Sequence, residues 1–344
     1  MKALVLEAVK KLSLRDFPLE EHVGPYDVKI AIKACGICGS DVHYYLEGAI
    51  GDFIVKDPMI LGHEAAGVIV EKGAKVTNVD VGDLVCMEPG IPNSESRELL
   101  EGNYHLDPDI VFWATPPIHG CLRETVVHPA KFCFKLPAGM SAAEGAMMEP
   151  LATGIEAAKN ARIKPGDVAL VVGSGAIGLM CAISALAGGC SRVFISDVKQ
   201  EKLDIAGSYK NIIPINTAKV NLEEFVRKET NGLGASIVFE ASGSPRVYPD
   251  FVRCARRGGT VVIVGMINGT VPLNMTWIQV QGLRIETLFR YTNTFDRAVA
   301  LVNAGKIDIK RLISKTFKFE DSIAAYEYAA AGHPDVVKVM IELS

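Results

Sequence analysis

Cysteine, histidine and glutamate offer the thiolate, imidazole and carboxylate that zinc accepts. Cys38 stands 25 residues before His63, which lies in the run Gly62-His63-Glu64-Ala65-Ala66-Gly67. A catalytic zinc takes three protein ligands and keeps a fourth position for water or substrate. Cys38, His63 and Glu64 could supply those three. Neighbouring side chains point to opposite faces of a regular strand, so a His-Glu pair that serves one ion requires a bend in the backbone. Gly62 and Gly67 suit a tightly packed turn there. Cys35-Gly36-Ile37-Cys38 is a C-x-x-C, but no second C-x-x-C completes a four-sulfur site. Cys35 ends the alternating run Val28 to Lys33 and reads as core, which leaves Cys38 as the ligand.

A second set of residues suits a dinucleotide. Gly173-Ser174-Gly175-Ala176-Ile177-Gly178 is a G-x-G-x-x-G that follows the apolar, β-branched run Val168 to Val172 and opens a helix-like stretch. In that setting Gly173 permits the tight turn, Gly175 lets a pyrophosphate approach the backbone, and Gly178 lets helix and strand pack closely. The helix N-terminus then faces the phosphate charge. Asp197 ends the next strand, 24 residues after Gly173. A carboxylate there accepts hydrogen bonds from ribose hydroxyls and repels a 2′-phosphate, which favours NAD over NADP. Lys199 and Lys202 are nearby cations that would tolerate a phosphate.

These residues need two kinds of scaffold. Up to about residue 150 the chain shows short alternating strands between Gly/Pro/Asp turns: Val28–Lys33, Ala65–Glu71, Asp83–Met87 and Thr125–Val127. Residues 91–110 are polar and lack alternation, as expected of a lobe or long loop. Ser141-Ala142-Ala143-Glu144 is a capping-box signature, and it predicts a helical stretch to about Asn160 that Pro150 breaks in two. From Val168 strands and helices alternate, with a helix expected over Arg246–Ala255, and the pattern predicts a doubly wound parallel sheet. A helix over Glu320–Ala331 and a strand over Val336–Ile341 close the chain.

The 344 residues allow two domains, and 49% hydrophobic with 22% charged residues is ordinary for a globular protein. A formal net charge of −4 gives no basic surplus for a nucleic-acid partner. No uncharged apolar segment is long enough for a membrane span, and the opening run is too short for a signal peptide. Eight cysteines, mostly inside apolar runs, read as buried thiols of a reducing compartment. A cytoplasmic protein is expected.

Taken together, these residues resemble the zinc-dependent medium-chain dehydrogenase/reductase superfamily over essentially the whole chain. The strings are Gly36-Ile37-Cys38-Gly39-Ser40-Asp41, the Gly62–Gly67 run with Gly73 and Val76, Val81-Gly82-Asp83, Glu149-Pro150-Leu151 and the glycine fingerprint. Within it the chain is most similar to sorbitol (L-iditol) and xylitol dehydrogenases. That narrower likeness rests on Gly39 to Tyr44, Glu88-Pro89-Gly90, Gly102 with Tyr104, Ala114 to Pro117 with Gly120, and Phe289-Arg290-Tyr291 with Asn293-Thr294. The resemblance implies a discontinuous GroES-like catalytic domain (1–150 and 291–344), interrupted by a Rossmann NAD-binding domain (151–290). It implies Cys38, His63 and Glu64 as zinc ligands, with Glu149 binding zinc directly or through water. Ser40 and His43 correspond to a proton relay, and Tyr44, Thr115, Phe112, Glu149, Arg290 and Tyr291 to the substrate pocket. Thr153, Gly173, Gly175, Ile177, Gly178, Asp197, Lys202, Val264, Gly265, Leu288, Phe289 and Arg290 fall on the cofactor side. Relatives with a second, structural zinc hold it with four cysteines; the matching positions here are Asn93, Ser96, Leu99 and Asp107, so one catalytic zinc per chain is expected. The implied reaction is hydride transfer from a secondary hydroxyl of a sugar alcohol to NAD, by a homo-oligomer, a tetramer ahead of a dimer, for which the apolar segment Val271 to Leu288 offers an interface. The rivals are a zinc dehydrogenase for 2,3-butanediol or L-threonine, and a nucleotide-binding sensor without catalysis.

Overall fold

A computed structural model describes residues 1–248, 250–267 and 269–344. Its contacts divide the chain into two compact units, Met1–Glu149 with Phe295–Ser344, and Pro150–Thr294.

The first unit is built on β structure. Strand β1 (Lys2–Ala8) pairs antiparallel with β2 (Lys11–Asp16). β3 (Asp27–Gly36) buries Val28, Ile30, Ile32 and Ala34 while Lys29, Ala31 and Lys33 stay more exposed, the period of two that marks a strand with one core face. α1 (Gly39–Glu47) starts from an extended Cys38 and ends at Gly48, whose φ of 75° closes the last turn. β4 (Ala49–Ile50) and β5 (Phe53–Ile54) form a short hairpin, and β6 (Met59–Ile60) adds to β1. β7 (Glu64–Lys72) and β8 (Leu84–Met87) extend the sheet begun by β3.

Residues 91–110, expected as an irregular lobe, are closed at their base by β9 (Gly90–Ile91) paired with β10 (Val111–Phe112). Within the lobe Ser96 caps α2 (Arg97–Leu100) by accepting from Leu99 N at 3.2 Å. The buried Asp107 carboxylate accepts from Asn93 N at 2.6 Å and from Asp109 N at 2.9 Å. Side-chain to backbone bonds thus join Ser96 to Leu99 and Asp107 to Asn93, the four positions at which the resemblance puts the ligands of a structural zinc. β11 (Thr125–Pro129) pairs with β3, and β12 (Cys133–Lys135) with β8.

The helical stretch breaks, but not at Pro150. α3 (Ala142–Ala146) carries the expected capping box, Ser141 with Glu144, and stops at Met147. α4 (Met148–Ala161) then runs through Pro150 unbroken. Pro150 sits in the first turn, where a helix has no intrahelical acceptor for its N–H groups, so the missing donor costs nothing there.

The second unit is the expected doubly wound sheet, in the order β15-β14-β13-β16-β17-β18 and parallel throughout. Its strands are β13 (Val168–Val172), β14 (Arg192–Asp197), β15 (Ile212–Asn216), β16 (Ala235–Glu240), β17 (Ala255–Ile263) and β18 (Arg284–Thr287). Besides most of α4, its α-helices among the described residues are α5 (Ala176–Ala187), α6 (Gln200–Gly207), α7 (Leu222–Glu229) and α8 (Met275–Gln281). The helix expected over Arg246–Ala255 is absent among the described residues. Short 3-10 turns, Pro245–Val247 and Phe251–Cys254, replace it, and Ala255 already belongs to β17. Tyr248, which precedes Pro249, is extended with ψ 140°, the conformation that a following proline imposes.

The chain then returns to the first unit through α9 (Phe295–Asn303), β19 (Ile313–Lys318), α10 (Ser322–Ala330) and β20 (Lys338–Glu342). β20 pairs antiparallel with β3, Met340 opposite Gly36 and Ile341 opposite Cys35. No helix among the described residues is long and apolar enough to cross a membrane.

Candidate metal centre and dinucleotide groove

Donor atoms of Cys38, His63 and Glu64 all lie within 4.8 Å of one another. Two ligands of one zinc at roughly 2.0–2.3 Å each can be no more than about 4.6 Å apart, so these three need only a small closure to share an ion. The backbone explains how neighbouring residues serve one point. β7 begins at Glu64, and His63 lies just outside it behind Gly62, whose φ is +89°. The strand alternation that would separate the two side chains therefore does not apply. Opposite Glu64 in the ladder is Gly36, and a Cβ there would overlap the Glu64 carboxylate.

Two residues that the sequence reading did not single out hold this cluster. Asp41, fully buried in the first turn of α1, accepts from Cys38 N and from Gly62 N, each at 3.2 Å, and its Oδ1 lies 3.6 Å from His63 Nδ1. One carboxylate thus fixes the backbone of both ligand segments and faces the imidazole, the outer-shell role that orients a ligating histidine. Its signal in the sequence is an acid three residues into a helix that starts after Cys38. Lys338 of β20 is 3% exposed, and its Nζ donates to both Glu64 oxygens at 2.6 and 2.7 Å and to Ile37 O at 3.1 Å. Its signal is a lone cation inside the apolar strand Val336–Ile341.

The charges around the cluster agree with a cation site. Burial disfavours the charged form of His63, yet the charges of Asp41 and Cys38 outweigh it and hold the imidazole well above its usual range. Burial likewise opposes the Lys338 ammonium, and Glu64 and Cys38 outweigh it. A largely buried set of sulfur, imidazole and carboxylate donors fits a divalent metal of zinc's preferences.

The remaining expected residues are spread around this centre. Glu149 is buried in the first turn of α4, in the same unit but outside the mutual cluster of three. Ser40 is half-buried in α1, whereas His43 is exposed and lies 3.5 Å from Glu47. Tyr44 and Phe112 are buried, the Phe112 ring 5.8 Å from that of His63, and Thr115 is half-buried. Cys35 is core, as read, with its Sγ 3.8 Å from that of Cys121.

In the second unit the fingerprint forms the expected strand-turn-helix. Gly173 has φ +100° and lies against Ser242, Gly175 caps α5, and Gly178 packs on the Gly173 carbonyl. Asp197 Oδ2 accepts from Ser174 N at 3.0 Å, and Oδ1 accepts from Val198 N and Lys199 N. A groove of about 810 Å³ opens beside it, lined among others by Gly173, Ser196, Asp197, Thr217, Ser242 and Arg246. Ile177 and Lys202 are half-buried, and the Lys202 carbonyl accepts from Ser174 Oγ at 3.2 Å. Val264 N and Gly265 N donate to Glu240 O, Leu288 N donates to Ile263 O, and Thr153 lies within α4. Phe289 is exposed beneath the Arg290 guanidinium at 4.7 Å, and Tyr291 is buried.

Comparison with known proteins matches residues 24–138 to the alcohol dehydrogenase GroES-like domain and residues 176–304 to the zinc-binding dehydrogenase family. A D-xylulose reductase of Morganella morganii is 49% identical over 331 residues, covering 96% of this chain and 98% of its own. Sorbitol dehydrogenase 2 of Saccharomyces cerevisiae is 40% identical over 346 residues, covering 98% and 97%. The crystal structure of 2R,3R-butanediol dehydrogenase from Bacillus subtilis superposes with a TM-score of 0.90 at 28% identity, covering 99% of each chain. The GroES-like match falls on the β-rich first unit, and the zinc-binding dehydrogenase match covers most of the parallel sheet of the second. The chain belongs to the zinc-dependent medium-chain dehydrogenase/reductase superfamily and is an oxidoreductase of the alcohol dehydrogenase type.

Proposed function

We propose that the protein is a zinc- and NAD-dependent polyol dehydrogenase, which interconverts xylitol and D-xylulose, with sorbitol and D-fructose as the second substrate pair. The convergence of Cys38, His63 and Glu64 carries the metal reading, and the identity to a D-xylulose reductase supports the substrate class. One zinc per chain is held by Cys38, His63 and Glu64, with Glu149 nearby as an alternative donor. Bound zinc supplies a Lewis acid for the substrate hydroxyl oxygen, and bound nicotinamide accepts the hydride.

The chain's own groups do the rest. The Gly173–Gly178 turn and the N-terminus of α5 bind the pyrophosphate, and Asp197 binds the ribose hydroxyls. NAD is favoured over NADP because the Asp197 carboxylate, already held by three backbone N–H groups, would meet a 2′-phosphate as a fixed like charge. The hydroxyl proton leaves through Glu149, or from Ser40 Oγ by way of His43. The exposure of His43 beside Glu47 suits the solvent end of such a relay. Tyr44 and Thr115 of the first unit hold the neighbouring hydroxyls. A site built to hydrogen-bond them rejects analogues that lack them. A cytoplasmic homotetramer completes the proposal.

The test is initial rates of cofactor reduction across xylitol, sorbitol, ribitol, galactitol, 2,3-butanediol and L-threonine, each with NAD and with NADP. The expected result is highest kcat/KM on xylitol with NAD. Preference for butanediol or threonine would discard the polyol assignment, and no turnover despite bound zinc would favour a nucleotide sensor.

A further inference from the structure

Three neighbouring strands of one sheet converge on the metal cluster: β7 brings Glu64, β3 runs out into Cys38, and β20 begins at Lys338. The ammonium of Lys338 has three hydrogens to donate. Its three acceptors are Glu64 Oε1, Glu64 Oε2 and Ile37 O, at 2.6, 2.7 and 3.1 Å. Glu64 is fully buried, and its carboxylate is tucked over Gly36, whose missing side chain makes the room. Ile37 N in turn donates to Val339 O at 2.9 Å, so the segment leading to Cys38 is tied to β20 at two points. Every lone pair that Glu64 gives to the ammonium is unavailable to a metal, and a carboxylate shared with a fixed cation is a weaker donor than a free one. With its three hydrogens directed to Glu64 and Ile37, Lys338 donates to neither Cys38 nor His63, and the carboxylate beside His63 Nδ1 is that of Asp41, an anion.

We infer that Lys338 is a positioning residue that competes with the bound metal for Glu64, keeping that ligand exchangeable while Cys38 and His63 hold the ion. The inference rests on the zinc reading above and deepens it, because it names the element that decides how firmly Glu64 coordinates. An exchangeable third ligand leaves coordination space for a substrate hydroxyl, which a firmly bound carboxylate would contest. The role belongs to the cation, not to the length of the side chain alone, so arginine at 338 preserves it and neutral residues abolish it.

The experiment uses the zinc-loaded full chain, with zinc release to a colorimetric chelator as one readout and the visible spectrum of the cobalt-substituted protein as the other. Lys338→Met and Lys338→Gln are compared with Lys338→Arg; the glutamine keeps a donor for Ile37 O and serves if the methionine variant does not fold. Neutral variants are expected to release zinc about tenfold more slowly, in the range that outer-shell partners exert on metal affinity. They should also show a shifted cobalt band, while Lys338→Arg keeps both properties of the parent. In a Glu64→Gln background the Lys338 substitutions are expected to change neither. Neutral variants with the parent's cobalt spectrum, or with release as fast as the parent's or faster, would overturn the inference. Parent protein that binds zinc with indifferent Lys338 variants defeats this inference alone, whereas parent protein that binds no zinc defeats the metal reading and this inference with it.

Discussion

The glycine fingerprint assigns different work to two glycines three residues apart, and alanine substitutions separate them. At Gly178 a Cβ would overlap the carbonyl oxygen of Gly173 and stand 3.0 Å from its carbonyl carbon and 3.4 Å from Val171 Cγ1. The obstacle is backbone, not the tip of a flexible side chain. Gly173 cannot give way either, because it sits at φ +100° with Ser242 packed against it. α5 must therefore recede from β13 by about 1 Å, a gap that already forfeits a quarter to a half of the dispersion well across that contact. Overpacking of this kind costs about 3 kcal/mol, which for a unit of this size lowers Tm by roughly 6–12 °C. At Gly175 a Cβ meets nothing within 4 Å, and the φ of −77° is open to any residue. Gly175→Ala should therefore melt within about 0.5 kcal/mol of the parent. Its methyl group instead occupies the space through which a pyrophosphate approaches, and NADH binding should weaken by about tenfold or more. Urea and thermal melts with NADH fluorescence titrations measure both quantities. Parent-like stability in Gly178→Ala, or equal destabilisation by the two alanines, would refute the reasoning.

Three further expectations follow from other parts of the molecule. Cys38→Ser and His63→Ala should lose zinc and activity together, as metal content and rates would show; a zinc-free but fully active variant would sink the metal assignment. Asp197→Asn keeps an acceptor for Ser174 N but removes the charge, so the ratio of kcat/KM with NAD to that with NADP should fall by about tenfold or more. His128 is fully buried, its Nε2–H donates to Glu88 O at 2.8 Å, and burial holds its pKa down to about 4. Between pH 6.5 and 4 the unfolded chain takes up a proton that the folded chain refuses, so this group costs no stability above pH 6.5. Acidification should then remove about 2 kcal/mol by pH 5 and about 3 kcal/mol by pH 4. Urea unfolding at pH 7 and pH 5 should show a smaller loss in His128→Gln than in the parent; parallel losses would exclude His128 as the source.

Much of the architecture was legible because it depends on neighbours in the chain. The period of two in Val28 to Ala34 announces β3, and the apolar run before Gly173 announces a strand covered on both faces. Ser141 and Glu144 announce a helix start that the structure contains. Local signals also failed where two of them competed. Pro150 reads as a breaker, yet α4 begins two residues before it, which makes it a tolerated first-turn proline. The apolar spacing in Arg246–Ala255 suggests a helix, but the extended Tyr248 interrupts it.

What the sequence determines by itself is therefore the inventory: three side chains of metal-ligating chemistry, a glycine turn of dinucleotide-binding pattern with its downstream acid, and strands and helices able to carry them. Each is encoded within a few residues, where sterics, hydrogen-bond capping and hydrophobic period act directly. Only the tertiary structure decides how Glu64 is held, because its partner Lys338 lies 274 residues away and arrives by the pairing of β20 with β3. It likewise brings Asp41 against both Gly62 and His63, and sets Gly36 opposite Glu64. The physical reason is that these contacts come from sheet register and burial, which join strands distant in the chain and leave at most a faint local trace, such as one lysine in an otherwise apolar strand.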